Sequence, residues 1–325
     1  MSKSNPTRRV SKIAPKLSIG EPIKSFKRIL VPLDGSRLAE AVLPVATRLA
    51  DACGSTILLL HVVERNAPSA VHGERHLRDE RDAEAYLSEL TRQLRVDNRM
   101  VEWHSHEVPV GDVAASIAVH AEEHAIDLIV LNTHGHGGIR DVIWGSIAQQ
   151  TLQHSRAPVL LWRARAKVSD TVFAPSTIMV SLDATAAAEE ALAPAISLAR
   201  CLQAQLRLVM VVATSSTVPR TQLPTATFLP VTTGLLLDLE EEQASEYLEG
   251  LAEAVRSIGV DAVAEVRRGD AVGQLAQDAS EHDDGLVVAA THGRAGLQAI
   301  WSPSVAARLL NRTHAPVLLV PNVEN

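Results

Sequence analysis

The chain has 325 residues, 46% of them apolar, which is enough for about two domains with substantial cores. Aromatic residues make up only 3%, so the cores must be built from Val, Leu, Ile and Ala, the composition of buried parallel strands under helices. The net charge is −7, and residues 1–28 hold eight Lys or Arg against Glu21 alone, so the remainder carries −14 and argues against a nucleic-acid-binding surface on the folded body.

The basic stretch contains Pro6, Pro15 and Pro22 and reads as a disordered tail over 1–24. A solvated terminus is the favoured reading. A contact with anionic lipid, RNA or a protein, or an organellar transit peptide, are the alternatives. No apolar run is long enough to span a membrane, and no secretory core is evident. Cys53 and Cys201 lie far apart in the chain and form no disulfide framework. A cytoplasmic protein is expected.

Arg28–Leu33 is a short apolar strand that ends at Asp34-Gly35-Ser36. Ser36–Ala52 carries Leu38, Val42, Val45, Ala46 and Leu49 at helical spacing. Thr56–Val63 is a continuous apolar run, hence a strand buried on both faces. Leu77–Leu94 is helical in spacing, and Met100–Val108 alternates as an outer strand does. Val113–His124 is helical, Ile126–Leu131 is a second buried strand, Ser146–His154 is helical, and Pro158–Trp162 closes as a strand.

The same order recurs from Thr177 to Val320. Thr133-His134-Gly135 returns as Thr291-His292-Gly293, and Ala157-Pro158-Val159-Leu160-Leu161 as Ala315-Pro316-Val317-Leu318-Leu319, both at an offset of 158. Val31-Pro32-Leu33-Asp34 is echoed by Val180-Ser181-Leu182-Asp183 at 149, a difference assigned to a longer loop at 213–233. The divisions expected are a tail over 1–24, a domain over 25–165, a linker over 166–175 and a second domain over 176–325.

Alternating strands and helices imply an α/β fold: two tandem doubly wound domains, each with a five-stranded parallel sheet in the order 3-2-1-4-5. The halves are expected to pack with pseudo-two-fold symmetry, with Pro158–Trp162 paired antiparallel to Pro316–Val320 so that neither edge is left bare. Ligands of such sheets bind beyond the carboxyl ends of the strands where the order reverses, here at Asp34 and Asn132. After Asn132 comes a glycine-rich stretch, and nine residues separate Gly135 from Gly145-Ser146, which stands just before a helix. Backbone N–H groups free of a Cβ, a helix N-terminus and a hydroxyl together suit a phosphate. Asp34 could accept a bond from a base or ribose, or hold a metal near phosphates. No nucleophile–base pair emerges, so no catalytic residue is assigned. His104 and His106 share a strand face, a spacing that could bind zinc, but a zinc site needs three or four ligands, and no metal ligand is assigned.

Over nearly all of 27–163 the first half resembles a universal stress protein domain. That family's phosphate motif is Gly, two residues, Gly, nine residues, then Gly-Ser or Gly-Thr. This sequence matches with Asn132 in the first position, then Gly135, Gly145 and Ser146. The resemblance implies a nucleotide site formed by Asp34, Val62, Asn132, Gly135, Gly145 and Ser146, with the Val62 backbone meeting adenine. It implies ATP or a related adenine nucleotide, with Mg²⁺ on the phosphates. Asn132 is expected to weaken rather than abolish binding, and Asn132→Gly to strengthen it.

The second half resembles the same family over 177–321, with a degenerate site: Asp183, Val211, Ala290, Gly293, Pro303 and Ser304. Pro303 has no N–H to offer a phosphate, although Pro is comfortable at a helix start. The expected function is a stress-response protein that binds nucleotide in its first half and acts through an unidentified protein partner. A slow ATPase using the same pocket, and a nucleotide-free interaction protein with relic motifs, are the alternatives.

Overall fold

A computed structural model describes residues 26–64, 70–71, 74–75, 77, 79–96, 98–108, 112–133, 146–163, 173–218, 229–282, 285–291, 303–313 and 315–322. The tail over 1–24, the glycine-rich stretch 134–145, most of the expected linker and the stretch 292–302 lie outside them.

The first half runs β1 (Arg28–Pro32), α1 (Arg37–Glu40), α2 (Leu43–Cys53), β2 (Thr56–Glu64), a small antiparallel pair β3 (Ala70–Val71) and β4 (Glu74–Arg75), α3 (Glu80–Leu94), β5 (Val101–Val108), α4 (Val113–Glu123), β6 (Leu128–Asn132), α5 (Ser146–His154) and β7 (Val159–Trp162). The second runs β8 (Thr177–Leu182), α6 (Ala186–Glu189), α7 (Leu192–Leu202), β9 (Gln205–Val212), α8 (Pro230–Ser257), β10 (Ala262–Arg268), α9 (Ala271–Glu281), β11 (Gly285–Thr291), α10 (Pro303–Arg312) and β12 (Val317–Pro321).

Ten strands form one sheet in the order β10-β9-β8-β11-β12-β7-β6-β1-β2-β5. Each half contributes five in the order 3-2-1-4-5, all parallel within the half. The halves meet where β12 runs antiparallel to β7, with Leu318 opposite Leu160, Val317 opposite Leu161 and Leu319 opposite Val159. Each residue faces the repeat counterpart of its neighbour across a centre at Leu160–Leu318. This is the self-complementary pattern of a two-fold contact.

Successive residues of β1, β2 and β6 point to opposite faces, and both faces are covered. Ile29, Val31, Leu59, Val130 and Leu160 belong to one apolar layer that continues through Val180, Leu208, Val288 and Leu318. Leu30, Leu60, Ile129 and Leu161 belong to the other, which continues through Met179, Val209, Val287 and Leu319. The continuous apolar strands are therefore interior on both sides, and β5 and β10 are the outer edges.

The expected helix over Ser36–Ala52 is broken in two. Pro44 lacks an N–H and fits only the first turn of a helix, and α2 accordingly restarts at Leu43 with Pro44 in that turn. The loop expected at 213–233 ends earlier, because a 28-residue helix begins at Pro230. α2 packs on α7 across the two halves. Cys53 and Cys201, remote in sequence, share a hydrogen bond there as free thiols. That bond and burial push the Cys53 thiol up, while the same bond holds Cys201 down at about 7.

Two measurements check this architecture. Leu318 is fully buried at the junction, so Leu318→Ala should cost about 2–5 kcal/mol of unfolding free energy in urea. Leu236→Ala, on an exposed helical position, should stay within about 0.5 kcal/mol. Alkylation of the native protein should reach Cys201 before Cys53, because the shared bond favours the Cys201 thiolate. Mass spectrometry of the labelled peptides would show the order, and equal labelling of both thiols would contradict it.

Candidate functional site

In the first half the sheet order reverses between β1 and β6, which pair directly through Ile29–Leu128 and Leu30–Ile129. Chain leaving β1 goes to one side and chain leaving β6 to the other, so the ends of these strands leave a crevice. Asp34 stands just beyond β1. Its Oδ1 accepts from the Ser36 backbone N–H at 2.9 Å and from the Ser36 hydroxyl at 2.6 Å. Ser36 Oγ in turn accepts from Ala39 N–H at 3.1 Å and caps α1. The hydroxyl is thus committed to a turn and a cap rather than poised as a nucleophile.

Gly35, between them, has φ +85°, and a Cβ there would lie 2.9 Å from the Leu77 side chain. A side chain there would be strained by the backbone and would have to displace Leu77. Behind the turn, buried His61 donates from Nδ1 to the Leu33 carbonyl at 2.7 Å. The carbonyl can only accept, which fixes the proton on that nitrogen. Val62, next on β2, is buried.

Asn132 is the last residue of β6, opposite Trp162. Its backbone is extended strand and is not among the left-handed non-glycine residues, which among the described residues are Asn98, Ala125, Ala184 and Gln203. Its side-chain amide donates to the Leu38 carbonyl at 2.6 Å, tying the end of β6 to α1. Thr133 N–H then donates to the Trp162 carbonyl at 2.7 Å. Ser146 opens α5, whereas Gly135 and Gly145 lie outside the described residues. The crevice thus has a carboxylate at one strand end, an amide-braced strand end beside it, and a helix start following the loop.

The second half repeats the frame with other side chains. Asp183 Oδ1 accepts from Thr185 N–H at 3.0 Å and from its hydroxyl at 2.5 Å, and Thr185 Oγ1 caps α6 by accepting from Ala188 N–H at 3.1 Å. The residue between them is Ala184 at φ +61°, where the first half has Gly35. An L-residue in that region costs roughly 1–2 kcal/mol. Ala290, at the Asn132 position, is buried and has no amide to reach α6. Val211 is partly buried, α10 begins at Pro303-Ser304, and Gly293 lies outside the described residues.

Sequence reasoning missed the cross-ties that hold these turns. Tyr86 Oη donates to Glu40 Oε1 at 2.9 Å, and Tyr247 Oη to Glu189 Oε1 at 2.7 Å, each tying the long helix of its half to the short one. Burial, then Glu189, raises the Tyr247 phenol well above its usual value. The signal available was that both Tyr and both Glu recur in the repeat.

Comparison with known proteins agrees with this frame. The sequence profile of the universal stress protein family matches residues 25–163 and again 175–321. The chain is 31% identical over 143 residues to Universal stress protein A homolog 1 of Coxiella burnetii, spanning 42% of this chain and 94% of that one. It is 26% identical over 152 residues to Universal stress protein Sll1388 of Synechocystis, spanning 42% of this chain and 97% of the relative. Among solved structures, a universal stress protein from Archaeoglobus fulgidus superposes over 92% of this chain and all of its own, with a TM-score of 0.65 at 14% identity. A functionally unknown protein from Pseudomonas aeruginosa does so over 92% of this chain and 94% of its own, with a TM-score of 0.65 at 17% identity. At those identities the two structures speak for the fold alone. The chain belongs to the universal stress protein family and carries the family's domain twice.

Proposed function

We propose that the first half binds ATP or a related adenine nucleotide, with Mg²⁺ carried on the phosphates, and that the second half has lost this capacity. The observation that carries the reading is the crevice between the ends of β1 and β6, where Asp34 and Asn132 stand together on a directly paired strand couple. The sequence supplies Gly135, Gly145 and Ser146 between that crevice and α5. Glycine N–H groups and a helix start are the donors a polyphosphate needs. Val62 lines β2 on the neighbouring side. In the second half Pro303 removes a donor where Gly145 keeps one, so one site per chain follows. Nucleotide occupancy would be read by a protein partner in a stress response, and the two halves would stay joined through β7 and β12 in solution.

Titration of ATP with Mg²⁺ by calorimetry should give one site per chain. Gly145→Pro, which imports the residue of the second half, should abolish binding while circular dichroism stays unchanged. Two equal sites, or undiminished binding in that variant, would contradict the assignment.

Asn132→Gly separates two accounts of that residue. Loss of its bond to the Leu38 carbonyl should lower unfolding stability by about 0.5–1.5 kcal/mol and leave affinity no tighter. If the side chain instead crowds a phosphate, the glycine variant should gain about 1.5–3 kcal/mol from a restored charge-assisted bond, roughly ten- to a hundredfold in affinity.

A further inference from the structure

The third strand and fourth helix of each half enclose a polar layer, and the two halves fill it differently. The sheet registers give the correspondence. Leu59 pairs with Val31 and Trp103, and Leu208 pairs with Val180 and Ala264. Val31 and Val180 begin the repeated strand motif. Trp103 therefore corresponds to Ala264, His104 to Glu265, His106 to Arg267, and Leu58 to Arg207. α4 and α9 each have 11 residues and follow an Asp at the cap position. His120 therefore corresponds to Asp278, and His124 to His282.

In the second half the layer closes on itself around a cation. Arg207, almost wholly buried, donates from Nη2 to Glu265 Oε2 at 2.7 Å and from Nη1 to Asp278 Oδ2 at 2.8 Å. Its Nη1 lies 3.1 Å from His282 Nδ1. Arg267 adds a 2.6 Å bond to Asp278 Oδ1. A buried charge persists only when paired and hydrogen-bonded in this way.

The first half has Leu58 where that guanidinium enters, and imidazoles where the carboxylates stand. Four rings converge there. The His106–His120 centroids are 4.9 Å apart and those of His104–His120 5.0 Å, with His124 5.7 Å from His104. One ring nitrogen from each of His104, His106 and His120 lies within 4.8 Å of the other two. His120 is buried, and its Nδ1 is 2.7 Å from the Ser116 carbonyl. That carbonyl only accepts, so Nδ1 carries the proton, and Nε2 is the nitrogen left to face a ligand. A backbone carbonyl behind the distal nitrogen is how metal-binding histidines are oriented. Burial, followed by the neighbouring His120, His124 and His106, holds the His104 imidazole below its ordinary value and favours its neutral form.

We propose that His104, His106 and His120 bind a divalent transition-metal ion of the zinc class, with the fourth position open to water or another external ligand. The ion supplies from outside the positive charge that Arg207 supplies from within in the other half. Imidazole ligands suit Zn²⁺, Cu²⁺ or Ni²⁺ and not Mg²⁺, so this site is chemically distinct from the proposed nucleotide site. In a tetrahedral site, bonds of about 2.1 Å require the nitrogens to close to about 3.4 Å from one another. His106 stands on the exposed side of the cluster and His120 on its buried side.

The test uses the full chain, untagged and stripped with chelator, titrated with zinc chloride in excess Mg²⁺. Calorimetry should show one zinc per chain. His106→Ala and His104→Ala should each weaken binding by at least about tenfold, while their melting temperatures in chelator match that of the parent. Cobalt(II) should give the intense visible absorption of a tetrahedral site, lost in His104→Ala. Absence of binding at millimolar zinc, affinity unchanged in both variants, or only the weak spectrum of cobalt in buffer would each overturn the proposal.

Discussion

The antiparallel contact of β7 with β12 is the constraint on which the rest of the molecule rests. In the order 3-2-1-4-5 the last strand of each half is an edge with unpaired N–H and C=O groups, and apolar residues on both faces. Either half alone would present Val159–Trp162 or Val317–Pro321 as a template for aggregation. Joined, each covers the other, and the sheet runs without interruption from β10 to β5. Both apolar layers then pass through the junction. The repeated Ala-Pro-Val-Leu-Leu sequence follows from this, because a two-fold contact asks the same residues of both sides.

With the frame fixed by that contact, the side chains at its equivalent stations are free to diverge. Asp34-Gly35-Ser36 and Asp183-Ala184-Thr185 build the same turn and the same cap, although Ala184 accepts a left-handed backbone that Gly35 takes without cost. Asn132 braces its strand end against α1, and Ala290 leaves the corresponding brace unmade. Farther along the sheet a closed ion network in one half stands where four histidines stand in the other. At the histidine cluster the first half holds the arrangement more open to an external ligand.

Much of the fold was legible because continuous apolar runs such as Thr56–Val63 have one stable use, the middle of a parallel sheet covered on both faces. The repeat offsets then located the partner strands. Features set by a single residue or by long-range register were less legible. Pro44 divides a helix whose apolar spacing continues across the break, and the β3–β4 pair is too short to give a periodic signal. The Thr- and Pro-containing stretch near 230 looked like loop, yet Pro230 starts a helix because the first turn has no need of its N–H. The crevice could be placed from strand order alone, but the bond from Asn132 to Leu38 could not, since it joins residues 94 apart. His104 and His106 were visible as a pair on one strand face. Their partners His120 and His124, four apart at the end of a helix, drew no attention in the sequence, and nothing there said that the strand face and the helix meet.

The central claim is that one half of a symmetric frame holds a nucleotide and the other does not. Native mass spectrometry of the freshly purified chain tests it most directly, because it counts bound ligand and weighs it in one measurement. The account predicts a chain carrying a single adenine nucleotide, released as one species on denaturation. A chain carrying two, or one that stays bare after incubation with millimolar ATP and Mg²⁺, would contradict it.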